Sequence, residues 1–267
     1  MLRTISRPGA TVSYEVSGDG PPLILGHSLL CDGRMWNAVS CELEQRYRVI
    51  NVDARGHGRS HADGPFILES LADDWRAIMD AEGIDRAVLC GLSMGGMTAM
   101  RLALRAPSRV RALALLDTSA DPEPLRNRLQ YRAMAELTRR FGQIDALYGI
   151  VQSMMFGKTI MAAQPALVEA AMEQIREQDP MQIYFGARAV MDRASITEHL
   201  ATLTCPTMVI VGSEDVATPQ ACSERIRSAV PSASLRVLDN VGHLSAVEAP
   251  TRVVGALGEL FAEIGYF

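Results

Sequence analysis

Residues 91–96 read Gly-Leu-Ser-Met-Gly-Gly, between the apolar run Ala87, Val88, Leu89, Cys90 and an amphipathic stretch that reaches Arg105. A serine set between glycines where a strand turns into a helix is a candidate nucleophile. The tight turn forces the central residue into a strained backbone conformation, and it demands side-chain-free neighbours at Gly91 and Gly95. The Ser93 hydroxyl would then stand over the first helical turn, where unpaired N–H groups and the helix dipole favour developing negative charge. A hydroxyl is a weak nucleophile at neutral pH and needs an imidazole base, itself oriented by a carboxylate. Of the five histidines, His243 lies in Asp239-Asn240-Val241-Gly242-His243-Leu244, in a loop after the last predicted strand that can reach Ser93. His57 belongs to the glycine-rich turn Arg55-Gly56-His57-Gly58 and reads as structural, while His61 and His199 sit in polar surroundings. The acid expected is Asp215, at the end of another predicted strand and 28 residues before His243, room for one helix and one strand. Glu214 and Asp117 compete for that role; Glu214 is expected to point the other way, and Asp117 ends a neighbouring strand. A tetrahedral intermediate also needs two N–H donors. Met94 supplies one, and the amide of Leu29, in the loop Gly26-His27-Ser28-Leu29-Leu30, is expected to supply the other.

These residues need a scaffold, and the pattern predicts one. Short β-type runs at 11–16, 23–26, 48–52, 87–90, 110–116, 207–212 and 235–238 alternate with helical stretches, which implies an α/β fold with a mostly parallel sheet covered on both faces. The segment 68–82 places Leu71, Trp75, Ile78 and Met79 on one face and stops at Gly83. On the helix after Ser93, Met97, Met100, Leu102, Ala103 and Leu104 form the buried face, with Arg101 and Arg105 expected to point outward. A last helix follows Pro250, with Val253, Val254, Leu257, Leu260, Phe261 and Ile264 as its stripe. The alternation breaks over 120–199, which reads as a helical cap inserted after strand 6 of the sheet, leaving 1–119 and 200–267 as the core. That interval holds Met134, Met154, Met155, Met161, Met172, Met181 and Met191, half of the chain's 14 methionines, and flexible thioethers suit an adaptable apolar pocket.

Composition sets outer bounds. A chain of 267 residues fits one large domain with an insertion. A hydrophobic fraction of 48% and mean hydropathy of +0.07 are ordinary for a soluble α/β protein, and no apolar run approaches the roughly 20 residues that span a bilayer. The net charge of −5 argues against electrostatic nucleic-acid binding. The amino-terminal residues lack the apolar core of a secretory signal, and five irregularly spaced cysteines form neither a metal pattern nor a disulfide framework. The expectations are a cytoplasmic protein, monomer or homodimer, with a small-molecule substrate, no metal, no cofactor and no nucleic-acid or membrane partner. Cys90 is expected to be a small core residue.

The elbow at Ser93, the stretch Asp53-Ala54-Arg55-Gly56-His57-Gly58-Arg59-Ser60, the segment Gly212 to Asp215 and the pair Gly242-His243 together resemble the α/β-hydrolase superfamily, in its order and over nearly the whole chain. The resemblance implies the α/β-hydrolase fold, and the chain order Ser, Asp, His matches its triad. Ser28 stands where many members carry glycine. Within the superfamily, His27-Ser28-Leu29, the elbow from Cys90 to Gly96 and Gly242-His243-Leu244-Ser245 look most like the 3-oxoadipate enol-lactonase and small carboxylesterase group. An enol-lactone of that kind carries a free carboxylate, which calls for a cation, and Arg128 or Arg132 is the candidate. The methionine-rich cap points instead toward an apolar acyl or aryl ester. Met154 and Met155 are further candidates for the pocket wall, and Trp36, like Met35 just past the oxyanion loop, is a candidate either to line the pocket or to pack under it. The expected chemistry is cofactor-free hydrolysis of small carboxylic esters or lactones through an acyl-enzyme on Ser93. Perhydrolysis or carbon–carbon cleavage would use the same residues, and a ligand-sensing receptor would show one slow acylation instead of turnover. A serine nucleophile argues against haloalkane dehalogenation.

Overall fold

The computed structural model describes residues 1–142 and 144–267. Its strands are β1 (Leu2–Arg7), β2 (Ala10–Ser17), β3 (Pro22–Gly26), β4 (Arg48–Val52), β5 (His61–Ala62), β6 (Ala87–Leu92), β7 (Val110–Leu116), β8 (Thr207–Gly212) and β9 (Ala233–Leu238). They form one sheet in the order β1-β2-β4-β3-β6-β7-β8-β9, with β5 paired to β2. From β4 to β9 every pairing is parallel, while β1 and β2 are antiparallel to their neighbours. This is the α/β hydrolase fold expected from the sequence. The helices are α1 (Asn37–Leu43), α2 (Leu68–Ala81), α3 (Met94–Arg105), α4 (Leu125–Phe141), α5 (Asp145–Met155), α6 (Lys158–Ala163), α7 (Pro165–Arg176), α8 (Pro180–Met191), α9 (Gln220–Ala229), α10 (Ser245–Glu248) and α11 (Pro250–Glu263).

The central strands are apolar on both sides because helices cover both. Leu23 and Leu25 of β3, with Val88 and Cys90 of β6, pack toward α1 and α11, whereas Ile24 and Leu89 pack toward α2, α3 and α9. The α2 helix ends where the sequence predicts: Gly83 adopts a φ of 64°, and the N–H groups of Gly83 and Ile84 donate to the carbonyls of Asp80 and Met79. Helices α4 to α8 occupy the interval between β7 and β8; β7 is the sixth strand when the two-residue β5 is set aside.

Apart from the two-residue β5, which the sequence reading lacks, two features depart from it. Strand β1, absent from it, is an exposed edge strand, so its sequence LRTISR shows no apolar alternation and it forms by pairing along β2. Arg101 does not point outward. It is 3% exposed, donating to Glu69 of α2 (2.8 Å) and to the Ala194 carbonyl (3.0 Å), because elements remote in sequence close over that face of α3.

Candidate active site

Ser93 joins β6 to α3 at φ 53° and ψ −110°, a conformation that L-residues seldom adopt. Its neighbours show why the turn needs glycine. A Cβ on Gly91 would sit 2.2 Å from the Gly95 carbonyl carbon, and one on Gly95 would sit 2.2 Å from the Gly26 carbonyl oxygen. The end of β6, the start of α3 and the end of β3 are therefore packed backbone against backbone. Three hydrogen bonds fix the turn: the Ser93 N–H donates to the Leu116 carbonyl (2.9 Å), the Gly95 N–H to the His27 carbonyl (3.1 Å), and the Thr118 hydroxyl to the Ser93 carbonyl (2.7 Å). As the first residue of α3, Met94 has an N–H without an intrahelical acceptor, directly beside the serine.

Asp215 and His243 arrive from the loops after β8 and β9, adjacent parallel strands. The Nδ1–H of His243 donates to Asp215 Oδ2 at 2.9 Å, which leaves Nε2 as the basic nitrogen. The other Asp215 oxygen accepts the N–H groups of Ala217 and Thr218 (2.9 Å each), and the Thr218 hydroxyl donates to Oδ2 (2.8 Å). Burial disfavours the imidazolium, yet Asp215, through its charge and its hydrogen bond, together with Asp117 and Glu248 in the same direction, outweighs it, and His243 titrates above its ordinary 6.5. Asp117 contributes charge only when ionised. Burial, and then the neighbouring Asp215, hold its carboxyl well above the usual carboxylate range, so the charge that opposes burial is chiefly that of Asp215; Glu248, whose own carboxyl burial also raises, adds a smaller share. The rival carboxylates have other engagements: Glu214 accepts the N–H and hydroxyl of Thr159 (2.9 and 2.7 Å), and Asp117 accepts the Gly212 N–H (2.9 Å). Among the described residues no hydrogen bond joins Ser93 to His243; contacts of this kind tighten when substrate binds.

The loop after β3 supplies the other side of the site. The His27 ring accepts the Ala54 N–H at Nε2 (2.9 Å) and so carries its proton on Nδ1, which donates to the Ser28 carbonyl (2.7 Å). Burial keeps that ring neutral. Ser28 is not among the non-glycine residues with positive φ, which are Leu30, Ser93, Asp117 and Asn240, so a side chain at position 28 strains nothing. The sequence reading gave no individual role to Thr218, Thr118 or the His27 ring. Only Thr218 left a signal, as a hydroxyl residue three positions after an aspartate, the spacing of a local side-chain-to-backbone turn.

Ser28, Leu29, Ser93 and His243 line one cavity of about 170 Å³, roofed by α4, α5 and α8. Met154 and Met155 line it, as do Met134 and Met191, whereas Met161 and Met172 pack into the core and Met181 is exposed. Trp36 is not on the wall: it is fully buried beneath, among core side chains, because the turn after β3 folds it inward. Arg128 and Arg132 are not on it either; Arg132 is held in an ion pair with Asp192, beyond the cavity side of α4. No cluster of three or more His, Cys, Asp or Glu side chains suited to a metal occurs among the described residues, and none of their helices is long and apolar enough to cross a membrane.

Residues 21–250 match the family model for the alpha/beta hydrolase fold. The 3-oxoadipate enol-lactonase 1 of Acinetobacter baylyi is 28% identical over 93% of this chain and 92% of its own. The pimeloyl-[acyl-carrier protein] methyl ester esterase of Nitrosomonas europaea is 27% identical over 94% of this chain and 100% of its own. Among solved structures, a thermophilic esterase from Thermogutta terrifontis with malate bound superposes with a TM-score of 0.93 at 30% identity, covering 99% of both chains.

Proposed function

The chain belongs to the alpha/beta hydrolase fold family, and from that premise we propose that it is a serine hydrolase that cleaves carboxylic esters or lactones through an acyl-enzyme. The observation that carries this reading is the Asp215–His243 hydrogen bond of 2.9 Å behind a cavity that His243 lines together with Ser93, itself at positive φ. Relatives that are esterases and lactonases support it. In this reading Ser93 Oγ attacks the carbonyl carbon while His243 Nε2 takes the hydroxyl proton. The carbonyl oxygen becomes an oxyanion, held by the N–H groups of Met94 and Leu29. His243 then gives its proton to the departing alkoxide. Water, deprotonated by the same imidazole, attacks the acyl carbon and frees Ser93 and the acid. Asp215 keeps the imidazole in the tautomer with Nδ1 protonated and stabilises its charged form. Residues 120–199 act as the cap that shields this chemistry from water.

Replacing Ser93 with alanine tests the proposal. Steady-state hydrolysis of 4-nitrophenyl esters is expected to fall by about 10⁴-fold or more with the melting temperature preserved. A folded variant that keeps most of its activity would remove Ser93 from the mechanism.

A further inference from the structure

We propose that the cavity over Ser93 is built for uncharged, apolar ester substrates and rejects those that carry a free carboxylate, a specificity that rests on the serine-hydrolase reading above. The roof supplies thioethers, aliphatic chains and phenol rings, among them Met134, Met154, Tyr148 and Tyr184. Among the described residues, none that lines the cavity is a lysine or an arginine. The acidic side chain on the wall is Glu123, 11% exposed and already paired with Arg193 at 2.8 Å.

Two arginines that touch wall residues are engaged as well. Arg176 stacks on the Tyr148 ring, 5.4 Å from its centroid, and pairs with Glu169. Arg139 stacks likewise on Tyr184 at 5.4 Å and pairs with Glu136. A carboxylate entering the cavity would leave water, meet no lysine or arginine on the lining and approach the Glu123 carboxylate. Taking an unpaired charge out of water is among the most unfavourable changes a binding site can impose. An alkyl or aryl group meets the reverse situation, since it displaces water from apolar walls, and flexible methionines adjust to its shape. The carboxylate-bearing enol-lactone suggested by resemblance is therefore a poor fit for this cavity.

Two esters with one leaving group and matched acyl length isolate the charge: 4-nitrophenyl hexanoate and mono-4-nitrophenyl adipate. Their binding to the Ser93→Ala protein, measured by calorimetry at pH 7.5, reads the cavity without turnover. The hexanoate is expected to bind about 100-fold or more tightly than the adipate. Met154→Arg in the same background, which adds a cation to the wall, is expected to narrow that ratio at least tenfold. Equal or tighter binding of the adipate, or failure of the hexanoate to bind, overturns the inference. Hydrolysis by the unaltered protein is read separately. Selective binding of the hexanoate without any Ser93-dependent hydrolysis sinks the hydrolase reading and leaves the specificity of the cavity standing.

Discussion

His243 is where opposed forces on one side chain can be measured. Desolvation disfavours its charged form, but the carboxylates around it, Asp215 foremost and Glu248 least, together prevail, so its pKa lies above 6.5. A general base must be neutral to act, and raising its pKa means that a higher pH is needed to deprotonate it. The acidic limb of the kcat/KM profile is therefore expected above pH 6.5. Glu248 refines the prediction. Its carboxylate accepts the Gly242 N–H at 2.8 Å, next to the imidazole, and the Gly157 N–H from the insertion at 3.3 Å. Glu248→Gln keeps an acceptor for Gly242 and removes the charge, so the limb should move to lower pH with most of kcat retained. A limb that stays in place would show that Glu248 acts on the loop alone, and a native limb at or below 6.5 would mean that burial outweighs the carboxylates.

Elements in this fold are positioned by glycines that allow close approach, and glycines elsewhere have no such duty. Gly95→Ala would push a Cβ to 2.2 Å from the Gly26 carbonyl oxygen, where backbone on both sides prevents escape. Gly258 lies exposed in the middle of α11, and a Cβ added there would meet nothing within 4 Å. Differential scanning calorimetry should show Gly95→Ala losing several kcal/mol or failing to fold, and Gly258→Ala gaining about 0.5–1 kcal/mol from helix propensity. Similar effects at the two positions would refute the close-approach argument. The same contrast explains what the sequence revealed. Gly91 and Gly95 were legible because one local spacing encodes both the turn and its chemistry, and Asp215 and His243 because strand ends can be counted. Arg101 was not: its helical position looks solvent-facing, and only Glu69 and Ala194, far along the chain, bury it. Arg128 and Arg132 were misplaced, and Trp36 was left between wall and core, for a related reason, since which side of a helix or turn meets the cavity depends on how whole elements dock.

Across the whole molecule, the insertion between β7 and β8 is anchored unevenly. Gln178, just after α7, donates to Asp32 (2.8 Å) and accepts the Gly58 N–H (2.9 Å), and Gln182 of α8 accepts the Ala62 N–H (2.8 Å). Near α6, the Gly157 and Thr159 N–H groups reach Glu248 and Glu214, while the Leu244 N–H donates to the Met155 carbonyl (3.1 Å). These tethers run to the segments that follow β8 and β9, to the turn after β3 and to the stretch from Gly58 to Ala62 after β4. Helix α4 differs: none of its residues is buried, and Leu125, Leu129, Leu137 and Phe141 are exposed, although its inner side supplies Tyr131 and Met134 to the cavity. Few buried contacts mean a low free energy of local opening, so α4 is the part of the roof expected to move when substrate enters. Hydrogen–deuterium exchange should find the amides of α4 exchanging at least tenfold faster than those of α8, and slowing when 4-nitrophenyl hexanoate occupies the Ser93→Ala protein. Uniform protection across the two helices would mean that the roof opens as one body, with the tethers at Gly157 and Gln178 breaking together.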